Sequence, residues 1–185
     1  PMHILQSADI GILYAIQDWM RSDFWTGILK FFTHLGSGGL LWILICLLLL
    51  AFRKYRHIGY RAAASLLLSA LLANVILKHL FLRLRPFYTY PDLVPLTSPS
   101  SPYSFPSGHA SSSFAVAFLL CMYLPKKYSV PALTMAALIG FSRMYLGVHY
   151  PSDILAGMAV GAFSAWMADG LISRVQKWHV SRETN

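Results

Sequence analysis

Long blocks of apolar residues that carry almost no charge limit most strongly what this chain can fold into. More than half of its 185 residues are apolar and only 12% are charged. The apolar residues are grouped in residues 35–52, 62–77, 108–124, 129–148 and 154–172, with a shorter stretch at 24–32. Most of these blocks approach the roughly 20 residues with which a helix crosses about 30 Å of hydrocarbon. The pattern predicts an all-α integral membrane protein with about six transmembrane helices in one bundle.

We expect a single membrane-embedded domain over residues 1–185, with three parts. Residues 1–34 form an N-terminal interfacial or first-span region, residues 35–175 the core bundle, and residues 176–185 a cytoplasmic tail. No basic start or small-residue cleavage site precedes the first long block, so we expect no cleaved signal peptide.

The excess of basic residues predicts a topology. The formal net charge is +8, and Lys and Arg concentrate in three hydrophilic segments, residues 53–61, 126–127 and 174–182. If the spans alternate, these segments lie on one side, which the positive-inside rule assigns to the cytoplasm. The connections 83–107 and 147–153 are then on the outer face. This distribution accounts for the charge without a nucleic-acid partner.

Three cations at the outer ends of spans do not fit the positive-inside rule. Lys78, Arg85 and Arg143 lie close to the hydrocarbon of the membrane. An ionisable group there costs free energy, and by default it marks a functional site. In the predicted topology, His109 and the pair His149 and Asp153 are close to them. The cations would repel one another unless an anion joined them, and phosphate oxygens accept hydrogen bonds from Arg and Lys. The sequence therefore predicts a phosphate pocket.

The tetrapeptide at residues 106–109, Pro-Ser-Gly-His, opens one of the apolar blocks. Ser107 is a good N-cap, and Gly108 lets backbone come close to a ligand. The helix N-terminus can then offer N–H groups and the positive end of its dipole to the phosphate, with His109 pointing into the pocket.

The second histidine has a different setting, because Asp153 follows His149 by four residues. A carboxylate at that distance can accept one ring N–H and leave the other nitrogen free to attack, as in a catalytic triad. In-line displacement at phosphorus needs a nucleophile on one side and a proton donor on the other. His149 and His109 can supply these two ends.

In this order the residues resemble the three-part signature of the type 2 phosphatidic acid phosphatase superfamily. The resemblance covers residues 78–153 and consists of Lys78, six residues, Arg85-Pro86; then Pro106-Ser107-Gly108-His109; then Ser142-Arg143, five residues, His149, three residues and Asp153. It implies a six-helix membrane fold, no metal or other cofactor, and a phosphohistidine intermediate on His149. By the same resemblance, the phosphate ligands are Lys78, Arg85, Ser107, Gly108, His109 and Arg143, with His109 also the acid.

The resemblance implies an integral-membrane lipid phosphatase in a bacterial cell or inner membrane, with its active site on the outer or periplasmic side. Bacterial members act on undecaprenyl diphosphate, phosphatidylglycerol phosphate, phosphatidate or lipid A, so the expected partners are a lipid phosphate and membrane lipids. We expect neither nucleic acid nor an obligate protein partner. A lipid A 1-phosphatase or a phosphotransferase of the same superfamily is the alternative enzyme.

Three other functions could use the same residues. An anion channel or transporter could line its pathway with the three cations, although no repeated halves are evident. His109, His149 and Asp153 could hold a metal, but the neighbouring cations would oppose a divalent ion. Vanadium haloperoxidases belong to the same superfamily, but they are soluble, and the apolar blocks argue against them.

Several further residues have plain structural interpretations. Arg83 and Asp92 lack a position in the signature and are predicted to be surface residues. Asn74, inside an apolar block, is predicted to form an interhelical hydrogen bond. Gly157 and Gly161 are predicted to let two helices pack closely.

Overall fold

The computed structural model describes residues 2–183, and these residues form an all-α fold, as predicted. The helices are α1 Met2–Ala15, α2 Asp23–Gly36, α3 Leu40–Ala51, α4 Arg56–Ala70, α5 Lys78–Phe81, α6 Pro86–Thr89, α7 Gly108–Tyr123, α8 Lys126–Tyr145 and α9 Pro151–Glu183. Two π-helical segments continue the chain, Ile16–Met20 after α1 and Leu71–Leu77 between α4 and α5.

Three stretches of the described chain are helical, long and apolar enough to cross a membrane: Asp23–Ala51, Arg56–Phe81 and Pro151–Trp178. Helix α7 is a shorter apolar helix. The prediction of an integral membrane protein is therefore supported by length and composition, and the number of six spans stays a prediction.

The short apolar stretch at residues 24–32 does not form a helix of its own. It belongs to α2, which continues into α3 through a bend at Ser37–Gly39. Gly38 and Gly39 have φ angles of 60° and 74°, in the left-handed region that glycine enters without steric cost. Two successive residues in this conformation break the helical path, so α2 and α3 form one bent span.

Helix α7 lies at the centre of the bundle and packs against α4, α8 and α9. Residues 110–117 of α7 are buried, and they are alanines and serines with one phenylalanine and one valine. Gly157 and Gly161 of α9 face this surface. A Cβ atom at Gly157 would lie 2.7 Å from the Ser107 carbonyl oxygen, and one at Gly161 would lie 2.7 Å from the Ala115 amide nitrogen. The predicted close packing is confirmed, and it brings the beginnings of α7 and α9 together.

Arg61 lies inside the bundle, at the end that carries the basic segments. It is 6% exposed, and it belongs to α4, not to the hydrophilic connection that the sequence suggested. Its Nε donates to Oδ1 of Asp169 at 3.0 Å, and its Nη2 donates to Oε1 of Gln176 at 2.7 Å. A carboxylate on α9 therefore compensates this buried cation.

Helix α1 and the π-helical turn after it pack across the opposite end of the bundle. Leu13 is buried against Leu93 and Tyr150. The Gln17 side chain donates to the Asp92 carbonyl and accepts from the Val94 amide, each at 3.0 Å. The N-terminal segment thus holds the first part of the long connection between α6 and α7.

Close packing of α9 on α7 predicts a large difference between two glycine substitutions in α9. Gly161→Ala places a methyl group against the backbone of α7, whereas a Cβ at Gly170 meets no atom within 4 Å. We expect Gly161→Ala to destabilise the protein by about 1–3 kcal/mol, as overpacking typically does. Gly170→Ala should be neutral or stabilising by up to about 1 kcal/mol through helix propensity. Thermal midpoints in detergent would measure both, and equal midpoints would contradict the close contact.

Candidate active site

A cavity of about 610 Å³ opens at one end of the bundle, where α5 and α7 begin and α8 ends. Its lining includes six of the predicted site residues: Lys78, Arg85, Gly108, His109, Arg143 and His149. The other two, Ser107 and Asp153, lie directly behind it with no exposed surface. The Ser107 amide donates to the Asp153 carbonyl oxygen at 3.0 Å. The structure therefore brings all eight predicted residues together.

His149 lies in the connection between α8 and α9 and is 2% exposed. Its Nε2 is 3.2 Å from Nη1 of Arg85, and its Nδ1 is 3.4 Å from Oδ2 of Asp153. Because a guanidinium can only donate, Nε2 must accept, and the proton of the neutral ring is on Nδ1. The second distance is within ion-pair reach but longer than a good hydrogen bond. This tautomer directs the Nε2 lone pair towards the cation-lined side.

Arg85 is held by backbone carbonyls. Its Nε donates to the Ser101 carbonyl at 2.6 Å, and its Nη1 also donates to the Val148 carbonyl at 2.8 Å. Burial lowers the pKa of Arg85 to about 10, with Asp153 acting in the opposite direction. Burial, and then the charge of Arg85, lower the pKa of His149 well below its ordinary value of 6.5. The His149 ring is therefore neutral and able to act as a nucleophile.

Arg143 lies in the last turn of α8, and its side chain contacts α2. It is 5% exposed, and its Nη1 donates to Oγ1 of Thr33 at 2.6 Å. Thr33 is also buried and lines the cavity. Nothing in the sequence around Thr33 signals this role, because the contact depends on how α2 packs against α8.

The Pro-Ser-Gly-His segment has the local structure that its sequence predicts. Helix α7 begins at Gly108, with Ser107 as the N-cap and its Oγ accepting from the Ala110 amide at 3.4 Å. Gly108 lines the cavity, and a Cβ there would overlap the Asn74 carboxamide. The first N–H groups of a helix lack intrahelical acceptors and favour an anion.

Asn74 has a different environment from the one predicted. It lies in the π-helical segment Leu71–Leu77 and lines the cavity beside Gly108. The widened turn is the reason, since a π-helical segment shifts the direction in which side chains project and is frequent at functional sites. Asn74 is therefore a cavity residue, whereas the sequence predicted only an interhelical hydrogen bond for it.

Arg83 is not a simple surface residue, contrary to the prediction. Its side chain is 28% exposed, and its two terminal nitrogens contact two buried carboxylates. Nη1 donates to Oδ1 of Asp153 at 2.9 Å, and Nη2 donates to Oδ2 of Asp9 at 2.7 Å. Asp9 belongs to α1, far away in the sequence, so no local pattern could have indicated this pairing. Asp92 is exposed, as predicted.

Three buried side-chain nitrogens have no hydrogen-bond partner within the described chain: Nε2 of His109, Nε of Arg143 and Nδ1 of His149. All three residues line the same cavity. Buried polar groups are normally paired, and exceptions call for an explanation. A ligand with several acceptor oxygens would satisfy the first two, and a small movement towards Asp153 would satisfy the third.

The residues of this site do not form a metal centre. Among residues 2–183, no group of three or more His, Cys, Asp or Glu side chains is arranged to hold a metal ion. Three cations share the cavity, and their charge favours an anion as the ligand.

Comparison with known proteins matches this geometry to one family. The profile of the PAP2 superfamily matches residues 58–178, which include every predicted site residue. An undecaprenyl-diphosphatase of Sulfolobus acidocaldarius is 32% identical over 142 residues, covering 77% of this chain and 68% of that protein. Phosphatidylglycerophosphatase B of Bacillus subtilis is 32% identical over 189 residues, covering 94% of this chain and 88% of that protein.

A solved structure is similar over nearly the whole chain. The crystal structure of a transmembrane PAP2 type phosphatidylglycerolphosphate phosphatase from Bacillus subtilis aligns with a TM-score of 0.72 and 31% sequence identity. The alignment covers 93% of this chain and 88% of that one. The similarity therefore extends well beyond residues 78–153, which carry the signature.

The lowered pKa of His149 predicts how stability depends on pH. Above pH 6.5 the His149 ring is neutral in both the folded and the unfolded chain. Below pH 6.5 the unfolded chain gains a proton that the folded chain does not, so the free energy of unfolding decreases as the pH is lowered. The loss from this residue should reach about 2 kcal/mol by pH 5, and His149→Gln should abolish it. Thermal midpoints of both proteins, in detergent without phosphate between pH 7.5 and 5, would measure the difference. Parallel profiles would show that His149 is protonated in the folded protein.

Proposed function

Because the chain belongs to the PAP2 superfamily, we propose that it removes the terminal phosphate of a lipid phosphate or diphosphate through a phosphohistidine on His149. The observation that carries this proposal is a single cavity lined by two histidines and three cations. The two relatives described above are named as phosphatases, which favours an enzyme over the anion channel or transporter that charged span ends allowed.

The cations would bind the phosphate before any bond is broken. Arg85 and Arg143 are held mainly by neutral oxygens, the Ser101 and Val148 carbonyls and the Thr33 hydroxyl, so their charge is available to a ligand. Lys78 lines the same cavity. Charge-assisted hydrogen bonds from these groups and from the α7 N-terminus would surround the equatorial oxygens of the transferring phosphoryl group.

His149 would attack phosphorus with Nε2. When the substrate phosphate takes over the Arg85 donor that now contacts Nε2, the lone pair is released for attack, and the Nδ1 proton remains directed at Asp153. The N–P bond forms as the bond from phosphorus to the leaving oxygen breaks. His109 donates its proton to that oxygen. The negative charge of the phosphate offsets the three cations and so favours the protonated form of His109.

Hydrolysis of the intermediate would reverse these roles. His109, now neutral, accepts a proton from a water molecule as its oxygen attacks phosphorus, and the P–N bond breaks. Inorganic phosphate leaves with the proton that His109 gained, and both histidines are then neutral. His109 takes up a proton with the next phosphate, whose negative charge offsets the three cations. No step requires a metal ion or a cofactor.

The shape of the cavity supports a lipid as the substrate. From the cationic end, the lining continues to Ile43 of α3 and to Leu66, Leu67 and Ala70 of α4. Leu67 is 72% exposed on the apolar flank of the bundle. A phosphate can therefore reach His149 while an attached hydrocarbon chain stays beside α3 and α4, where apolar contacts are available.

The substrate class that we propose is an apolar chain ending in a phosphate or diphosphate. Undecaprenyl diphosphate, phosphatidylglycerol phosphate and phosphatidate share this chemistry, and the relatives are named for two of them. The site residues contact the phosphate end, which all three lipids have in common.

We further propose that the cavity opens on the outer face of the membrane. The basic segment at 53–61 connects α3 to α4 and continues into α4, the pair at 126–127 begins α8, and the segment at 174–182 lies in the C-terminal part of α9. His109 and Asp153 lie at the opposite ends of α7 and α9. The positive-inside rule then orients the bundle.

The two histidines should respond differently to the leaving group. In EDTA, wild-type protein should release phosphate from a lipid phosphate and from p-nitrophenyl phosphate, because no metal is used. His149→Ala should be inactive on both substrates. His109→Ala should lose about 10²–10⁴-fold on the lipid, the range of general acid catalysis, but much less on p-nitrophenyl phosphate, whose leaving anion needs no proton.

Phosphate release and a burst of p-nitrophenol would measure these steps. His109→Ala should show a burst and accumulate acid-labile phosphate, since it also lacks the base for hydrolysis. His57→Ala, which changes a histidine at the basic end of the bundle, is the matched control and should retain activity. Activity that disappears in EDTA and returns with a divalent ion would contradict the proposal, as would equal losses on both substrates for His109→Ala with neither a burst nor phosphate-labelled enzyme.

The orientation can be tested with single cysteines in a Cys46→Ala, Cys121→Ser background. Ser100 and Lys127 are both exposed, Ser100 in the long connection beside the cavity and Lys127 at the opposite end. In intact cells, a membrane-impermeant maleimide should label Ser100→Cys and spare Lys127→Cys until the cells are lysed. The reverse labelling pattern would place the active site in the cytoplasm.

A further inference from the structure

A second buried carboxylate lies behind the active site. Asp9 of α1 is 2% exposed. Its Oδ1 accepts from the Ser152 amide at 2.9 Å, and its Oδ2 accepts from the Ser152 hydroxyl and from Nη2 of Arg83, the latter at 2.7 Å. Burying a carboxylate is costly unless it is paired and hydrogen-bonded, and both conditions are met here. Nothing in the mechanism above uses this residue.

Arg83 joins Asp9 to Asp153. One terminal nitrogen, Nη1, donates to Oδ1 of Asp153 at 2.9 Å and to the Ser152 hydroxyl at 2.7 Å, while Nη2 contacts Asp9. The guanidinium also stacks on Tyr150, with its central carbon 3.8 Å from the ring centroid. A planar group with both terminal nitrogens bound and one face covered has a fixed orientation.

This arrangement leaves one oxygen of Asp153 for the nucleophile. Arg83 binds only Oδ1, whereas Oδ2 accepts from the Tyr150 amide at 2.9 Å and faces Nδ1 of His149. Arginine commonly binds a carboxylate through two parallel hydrogen bonds, which would occupy both oxygens. Here the second nitrogen is held by Asp9, so the two-point contact with Asp153 does not form.

We propose that Asp9 and Arg83 are positioning residues for the reaction. Asp9 binds one guanidinium nitrogen, so Arg83 donates to a single oxygen of Asp153, and the other oxygen of Asp153 is left to orient His149. This inference rests on the proposed function, because it assigns His149 the role of nucleophile. It also gives helix α1 a part in catalysis, although none of the described side chains of α1 lines the cavity.

The consequence for the reaction is a slower chemical step with normal substrate binding. Without the Asp9 carboxylate, Arg83 is free to rotate and to take both oxygens of Asp153, and His149 then loses the acceptor that fixes its tautomer. The phosphate-binding cations are not in contact with Asp9, so the KM should change little. The effect should therefore appear in kcat.

Kinetics of Asp9→Asn, Arg83→Gln and the double variant test this inference in the full-length protein in detergent, with p-nitrophenyl phosphate. Each single variant should lose about 10-fold or more in kcat, the order expected when the partner of an orienting group is removed, with less than about threefold change in KM. The double variant should be no slower than the slower single variant, because Asp9 acts only through Arg83. Asp92→Asn, an exposed carboxylate of the connection held by α1, is the matched control and should keep wild-type kcat.

Thermal midpoints and size-exclusion profiles would separate positioning from folding. Arg83→Lys keeps the charge but lacks the second nitrogen, so it should fold and still lose kcat to a similar extent. Multiplicative losses in the double variant, unchanged kcat in Asp9→Asn, or failure of both Asp9→Asn and Arg83→Lys to fold would overturn the inference. An inactive wild-type protein would instead overturn the proposed function, so the two failures are distinguishable.

Discussion

Repulsion among Lys78, Arg85 and Arg143 is the constraint on which the rest of this structure depends. The three cations share one cavity, and the two arginines among them are almost completely buried. They bond mainly to carbonyl and hydroxyl oxygens. Such neutral partners hold the side chains in place without cancelling their charge. The cavity therefore keeps a positive potential that an anion can satisfy, and burial in low dielectric strengthens this potential.

Two other arginines, Arg61 and Arg83, have the opposite arrangement. Arg61 is paired with Asp169 at one end of the bundle, and Arg83 is paired with Asp9 and Asp153 at the other. These cations have carboxylate partners that neutralise their charge, and the ion pairs hold helices and side chains in place. Whether a buried arginine is available to a ligand or supports the fold thus depends on whether neutral oxygens or carboxylates accept its hydrogen bonds.

Close packing of helices brings the two histidines to the same cavity. Small residues of α7 and the glycines of α9 let the two backbones approach closely, and the Ser107 amide bonds to the Asp153 carbonyl across the contact. That one hydrogen bond links Ser107, the N-cap of α7, to the first turn of α9. His109 is the second residue of α7, and one residue separates His149 from α9. The relative position of the two histidines is therefore set by backbone contacts between α7 and α9 in a closely packed interior.

Several properties of this protein could be predicted from the sequence, because they depend on local pattern. Apolar blocks indicated membrane helices, Ser107 and Gly108 indicated the start of α7, and the spacing of His149 and Asp153 indicated their pairing. The charged ends of spans indicated an anion site. The residues that form the start of α7 or the pair of His149 and Asp153 lie within a few positions of one another. A charge near hydrocarbon costs free energy wherever it occurs in the sequence, so it is informative without a partner.

Only the tertiary structure decided the contacts between distant segments. Thr33 meets Arg143 because the bend at Ser37–Gly39 tilts α2 onto α8, and Asn74 reaches the cavity because a π-helical turn redirects it. Asp9 meets Arg83 across 74 positions of sequence. Such pairs leave no periodic or spacing signal, since side chains from different helices become neighbours only after the helices have packed. The sequence determined the chemistry available to the site, and packing decided which side chains support it.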